Sequence, residues 1–137
     1  MAKHRTYISF DVGEKRIGVA RADSDVKVPH PITTLDVDGT QFDVIKRLIS
    51  DIQPDAVIVG YPRNQSGEPT AQTQVSEEFA RHLRHFDVPV VFQDESLTSV
   101  LAEQYLQSSK RSYTKGDIDA HAAAIILGDY LEAHHGH

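Results

Sequence analysis

Hydrophobic and polar positions alternate with a period of two at the start of the chain. Tyr7, Ser9 and Asp11 fall on one face, and Ile8, Phe10 and Val12 on the other. This predicts a strand that ends in a glycine-bearing turn at Gly13 and resumes at Ile17 as a second strand reaching Asp23. Ser24-Asp25 reads as a polar turn into a third stretch ending near Leu35, and three short stretches joined by tight turns predict an antiparallel meander. Pro29 and Pro31 would interrupt a central strand, so the third stretch is expected at an edge or in a loop.

At Thr40 the period lengthens. Phe42, Ile45, Leu48, Ile49 and Ile52 recur at helical spacing, with Thr40 and Asp43 as capping candidates and Pro54 as the stop. Ala56 to Val59 is a wholly apolar, largely β-branched run ended by Gly60, the pattern of a strand buried on both faces. Tyr61 to Thr70 is rich in turn formers and predicts a long loop, a feature that is often functional in a compact domain. A helix is expected from Ala71 to His85, a strand from Val88 to Phe92, and Gln93-Asp94-Glu95-Ser96 just beyond that strand's end. The spacing predicts a helix from Thr98 to Gln107 with Leu101, Tyr105 and Leu106 facing inward, then a polar, partly basic linker from Ser108 to Gly116. The last helix, Ile118 to Ala133, is apolar almost all round from Ala120 to Leu127 and is expected deep in the core. Three meandering strands followed by helix–strand units specify an α/β fold with a mixed five-stranded sheet flanked by helices.

The length of 137 residues fits a single domain over residues 1–137. No apolar run approaches a membrane span and no charged-then-apolar leader opens the chain, so a cytoplasmic location is expected. Because there is no cysteine, disulfides, thiolate nucleophiles and Cys-ligated zinc are excluded, and any metal must be held by oxygen or imidazole. The net charge of −6 argues against a broad nucleic-acid-binding surface, although an acidic metal cluster would add negative charge that a divalent ion cancels in use. Lys15-Arg16 with Arg21, Arg81 with Arg84, and Lys110-Arg111 with Lys115 form local basic groups.

A carboxylate at Asp11 sits where a buried strand should stay apolar, so it must be paired, hydrogen-bonded, exposed at a strand end or bound to a cation. Glu95 lies just past the fifth strand and Asp119 in the first turn of the final helix. Ligands of open α/β sheets collect outside the carboxyl ends of strands, where Asp11 and Glu95 could share a rim. Three converging carboxylates repel one another unless a cation lies between them, and all-oxygen ligation favours Mg²⁺ or Mn²⁺. The chemistry natural to such a cluster is metal-assisted phosphodiester hydrolysis. The plainer alternatives are an Asp11 bonded within its own turn, a loop acid at Glu95 and a helix-dipole role for Asp119.

Four motifs occur in the order seen in the YqgF/RuvX family: Phe10-Asp11-Val-Gly13-Glu-Lys15-Arg16-Ile-Gly18-Val19, Val59-Gly60-Tyr-Pro62-Arg-Asn64-Gln-Ser-Gly67, Asp94-Glu95-Ser-Leu97-Thr98 and Lys115-Gly116-Asp-Ile-Asp119-Ala-His-Ala122-Ala123. The chain resembles that family over nearly its whole length. The resemblance implies an RNase H-like fold and a Holliday-junction-resolvase-like nuclease that matures the precursor of small-subunit ribosomal RNA. It also implies Asp11, Glu95 and Asp119 as catalytic, metal-binding acids, and a substrate-flanking loop from Gly60 to Gly67.

Two positions depart from the family pattern. Ser96 stands where an arginine usually follows the Asp-Glu pair, removing a planar phosphate-binding fork, and Tyr61 stands where leucine usually follows the glycine. Lys15, Arg16, Arg63, Asn64, Lys110, Arg111 and Lys115 are the remaining candidates to contact a nucleic-acid backbone. RNA is favoured over DNA, with ribosomal precursor particles as partners and a monomer or weak homodimer as the assembly. The alternatives are a DNA-junction resolvase, an actin-like or sugar-kinase-type nucleotide-binding domain, and a non-catalytic RNA- or protein-binding module. His82, His85, His134, His135 and His137 lack ligand spacing within the core, and His121 is expected to be buried and hydrogen-bonded.

Overall fold

The computed structural model describes residues 4–62, 70–95, 98–109 and 114–135. Its elements are β1 (Thr6–Val12), β2 (Arg16–Asp23), β3 (His30–Asp36), α1 (Gln41–Ile52), β4 (Ala56–Pro62), α2 (Ala71–Leu83), β5 (Val90–Glu95), α3 (Thr98–Ser108) and α4 (Lys115–His135). A 3-10 turn, Arg84–Phe86, follows α2. The strands form one mixed sheet in the order β3-β2-β1-β4-β5. The first three are antiparallel, as the turn spacing predicts, and β4 and β5 are parallel to β1. Strand β3 is an edge strand, and its register against β2 shifts beside Pro31, which accommodates a residue with no amide hydrogen to donate.

The alternation in β1 sorts the two faces. Ile8, Phe10 and Val12 join Ile17, Val19, Val57 and Val59 in a core closed by Ile45 of α1 and Phe79 and Leu83 of α2. On the opposite face Tyr7 and Ile58 pack against Ile126, Leu127, Tyr130 and Leu131 of α4. Ser9, wholly buried on that face, donates its hydroxyl hydrogen to the Ala123 carbonyl at 2.7 Å and so fixes α4 against β1.

Several boundaries and contacts differ from the sequence expectation. The Thr40 side chain does not cap α1; its hydroxyl donates instead to Asp38, while Gln53 in the left-handed region closes the helix before Pro54. Strand β4 runs on through Tyr61 and Pro62, and β5 runs on to Glu95, because the parallel pairing from Val57–Val90 continues without interruption to Pro62–Glu95. Glu95 is therefore the last residue of the strand rather than a loop residue beyond it. Helix α4 begins at Lys115, which moves Asp119 out of the first turn. Tyr105 is 56% exposed rather than turned inward, and its ring stacks on His121 with centroids 4.4 Å apart. His121 is correspondingly half-buried and ring-stacked. None of the described helices is long and apolar enough to cross a membrane.

Candidate metal centre

The site is built at the carboxyl end of β1. The strand ends in a three-residue reversal, Gly13 to Lys15, in which the Gly13 amide donates to the Arg16 carbonyl at 2.8 Å. A Cβ on Gly13 would lie 2.8 Å from that carbonyl oxygen, so only glycine lets the chain reverse this tightly beside the acid. The first turn of α2 clamps the same rim from the other sheet face. Gln72 donates its side-chain amide to the Val12 carbonyl, and the Thr73 hydroxyl donates to the Pro62 carbonyl at the end of β4. Thr70 and Thr73 form a reciprocal capping box that holds this turn in place.

Asp119 is brought to Asp11 by the way α4 lies on β2. Asp11 is paired with Gly18 in the β1–β2 ladder, and the main chain of α4 at Asp119 rests directly on Gly18. The Thr34 hydroxyl donates to the Gly116 carbonyl and ties the start of the helix to β3. The helix-dipole role open to Asp119 from the sequence is filled by Asp117. Its carboxylate accepts from the Thr114 amide at 2.8 Å, and its own amide donates to the Thr114 hydroxyl at 3.1 Å. Asp119 is thereby free to face the sheet.

The electrostatics of the two acids differ. Asp119 accepts a hydrogen bond from Arg16 Nε at 2.7 Å, a charge-assisted contact. Asp11 is partly buried, and among the described residues no hydrogen-bond donor meets its carboxylate. Loss of solvent, and secondarily the negative charge of Asp119, push its pKa up to about 7. A carboxyl group perturbed this strongly by burial and a second carboxylate is a candidate functional group.

Glu95 ends β5, two strands from β1, or roughly 9–10 Å across the sheet. All three parallel strands point their carboxyl ends to the same rim, and the register Phe10–Val59–Phe92 puts main-chain position 95 on the same sheet face as position 11, two residues further along. The Glu95 side chain lies outside the described residues, as do Arg63, Asn64, Lys110, Arg111 and Ser96. Lys15 is exposed in the turn after Asp11, and Lys115 is exposed as the first residue of α4. Arg16, grouped by sequence with the backbone-contacting cations, is instead engaged with Asp119.

Hard oxygen donors around an unmet, partly buried carboxylate fit Mg²⁺ or Mn²⁺. A second group of potential ligands among the described residues, His4, Asp23 and Asp25, lies at the opposite end of β1 and β2. Its polar atoms are taken up locally. His4 contacts Asp25 at 2.6 Å, and Asp23 accepts from the amides of Asp25 and Val26 to close the β2–β3 turn. A surface cleft of about 590 Å³ between β3 and α4, lined by Thr34, Leu106, Gly116 and His121 among others, includes neither acid.

Sequence reasoning missed Arg16 as the partner of Asp119, Gln72 as the clamp on β1, and the Thr114–Asp117 cap. Only the last had a local signal, a threonine followed three residues later by an acid.

Comparison with known proteins agrees with this architecture. The profile of the RuvX family, described as Holliday junction resolvase, matches residues 5–133. A protein of Dechloromonas aromatica named "Putative pre-16S rRNA nuclease" is 38% identical over 135 residues, covering 95% of this chain and 92% of that protein. One of the same name from Chromobacterium violaceum is 40% identical over 131 residues, covering 91% of this chain and 96% of its own. Among solved structures, Thermus thermophilus RuvC in complex with a Holliday junction substrate aligns over 96% of both chains with a TM-score of 0.58 at 12% identity. The fowlpox virus Holliday junction resolvase aligns over 93% of this chain and 98% of its own, with a TM-score of 0.52 at 18% identity. These structural likenesses concern the fold, and the mixed five-stranded sheet with its helices is RNase H-like, as the motifs implied. With the profile spanning nearly all of its residues and relatives matched along almost their whole length, the chain belongs to the RuvX family.

Proposed function

We propose that the protein is a metal-dependent endonuclease that hydrolyses phosphodiester bonds, with precursor small-subunit ribosomal RNA in the cytoplasm as its substrate. The observation that carries this reading is Asp11, a partly buried carboxylate with no donor among the described residues, held against a second carboxylate at the carboxyl rim of the sheet. Family membership supports the nuclease activity, and the names of the relatives support the RNA.

In this reading Asp11 and Asp119, with Glu95 from the end of β5, hold one or two Mg²⁺ or Mn²⁺ ions. When bound, such ions supply an activated water and stabilise the leaving oxygen of the phosphodiester. Asp11 must release its carboxyl proton to act as a ligand. The Gly13 turn and the Gln72 and Thr73 clamps keep its backbone fixed while it does so, so little reorganisation accompanies binding. Lys15 and Lys115 offer ammonium groups to draw the backbone in, and Arg63, Asn64, Lys110 and Arg111, outside the described residues, are the further candidates to contact it. No protein nucleophile is needed.

The experiment is cleavage of a labelled fragment of precursor ribosomal RNA and, in parallel, of a four-way DNA junction, with Mn²⁺ or with EDTA. Cleavage of the RNA in Mn²⁺, reduced to background by EDTA and by Asp11→Asn, Glu95→Gln or Asp119→Asn, is expected. Cutting of the DNA junction alone would move the substrate to DNA. Cutting that survives EDTA or Asp11→Asn would overturn the mechanism.

A further inference from the structure

Arg16 is bound twice at the site, once to the turn that follows Asp11 and once to Asp119. Its main-chain carbonyl accepts from Gly13 in the turn that follows Asp11, while its Nε donates to Asp119 Oδ2 at 2.7 Å, across 103 residues of sequence. Among the described residues it is the cation paired with Asp119. The recorded contact is side-on, through Nε, rather than the two-nitrogen fork that makes arginine–carboxylate pairs most persistent. The pair is also open to water, with the Arg16 side chain 36% exposed and that of Asp119 22%. A single-nitrogen ion pair that is only part-buried is more readily exchanged than a fully buried fork.

We infer that Arg16 is a resident stand-in for the metal: it neutralises Asp119 in the metal-free protein and must let go of Oδ2 before a divalent ion can bridge the acids. This rests on reading the site as a divalent-metal centre and adds to it a specific competition. A guanidinium and a divalent ion cannot share that oxygen without bringing like charges together. The competition is reciprocal by thermodynamic linkage, so whatever factor the ion takes from the arginine contact, the arginine takes from ion affinity. Once released, the side chain stays at the rim beside Lys15, because its backbone is fixed by the Gly13 turn. Its planar fork is then available to a phosphate oxygen, the geometry that Ser96 cannot supply. One residue thus guards the empty site and grips substrate in the loaded one.

The two roles have opposite signs in a single variant, which separates them from a merely structural one. Mn²⁺ binding to the full chain without nucleic acid is measured by titration calorimetry for wild type, Arg16→Gln, Arg16→Lys and Asp11→Asn. The Arg16 Nε–H resonance of the wild type is followed by NMR during a Mg²⁺ titration. Arg16→Gln is expected to bind Mn²⁺ roughly 5- to 10-fold more tightly, the low end of ordinary coupling between sites, while its KM for RNA rises. Arg16→Lys should fall between it and wild type. The Nε–H resonance should move with the same midpoint as Mg²⁺ binding, a readout that needs no variant to fold. If Asp11→Asn loses Mn²⁺ but Arg16→Gln binds it no better than wild type and the resonance stays still, the stand-in role is wrong and the metal centre survives. If wild type binds no Mn²⁺, or Asp11→Asn binds it unchanged, the metal centre itself is wrong and the inference falls with it.

Discussion

Gly18 and Asp119 meet main chain to main chain. A Cβ built on Gly18 would lie 1.9 Å from the Asp119 carbonyl oxygen and 2.8 Å from the Ala120 nitrogen. Neither neighbour is a flexible side chain, so even one methyl group forces α4 off β2. Gly18→Ala is expected to destabilise the protein by about 1–3 kcal/mol, the usual range for overpacking, and to cost cleavage activity even in the molecules that remain folded, because Asp119 retreats from Asp11. Urea unfolding alongside an activity assay at a temperature where the variant is folded would check this. A Gly18→Ala protein of wild-type stability and activity would show that the helix does not sit as described.

Asp11 sets a pH dependence whose sign is unusual for an acid. Its pKa is raised on folding, to about 7 from the ordinary 3.8. In the metal-free protein its contribution is therefore fully present below 3.8 and is lost as pH rises towards and through 7. Asp11→Asn should melt several degrees above wild type at pH 8 in EDTA, with the difference shrinking as pH approaches 4. Thermal melts across that range test it, and a gap that widens towards low pH would contradict the assignment. By the same proton, Mn²⁺ affinity of the wild type should increase with pH up to about 7 and then level off.

Ser76 is wholly buried in α2, and among the described residues its hydroxyl has no hydrogen-bond partner. An unmet buried hydroxyl opposes folding, and alanine is also the better helix former. Ser76→Ala should stabilise the protein by about 1 kcal/mol without altering cleavage. A loss of stability in urea titration would mean that the hydroxyl is satisfied.

Ser9 makes the opposite case. Its buried hydroxyl bonds the Ala123 carbonyl, so Ser9→Ala should cost about 1 kcal/mol, the net value of such a bond. Its effect on activity should be smaller than that of Gly18→Ala, since the helix loses an anchor without being displaced. Equal losses of activity in the two variants would contradict this ordering.

The strands, the edge position of β3 and the opposite faces of β1 were legible because each rests on local alternation or on proline chemistry. Asp11 was conspicuous as a charge in an apolar strand. What escaped was decided by distant partners. The sequence around residue 115 reads as linker because Lys115-Gly116 has no apolar period, yet the Thr114–Asp117 cap and the Thr34–Gly116 contact start the helix there. Glu95 reads as a loop acid because its neighbours are polar, whereas pairing with β4 keeps the strand going. Tyr105 turns outward against its apolar character because α3 has only a weak apolar stripe, which leaves the helix's register unreadable from residue types. Arg16 reads as one of the backbone-contacting cations because nothing in Lys15-Arg16 tells which of the two faces the last helix. The convergence of Asp11 and Asp119 came from motif resemblance; its physical cause, a bare glycine under the helix, is visible only in the packed structure.

The order of the elements along the chain gives the site a schedule. Strand β1 is made first and α4 last, so a chain still being synthesised carries Asp11 on a sheet face that nothing yet covers. Tyr7 and Ser9 lie open beside it until Tyr130 and Ala123 arrive. The acids can meet only once the final helix has left the ribosome. A site assembled in this way stays incomplete from the synthesis of β1 until α4 has emerged and folded onto it.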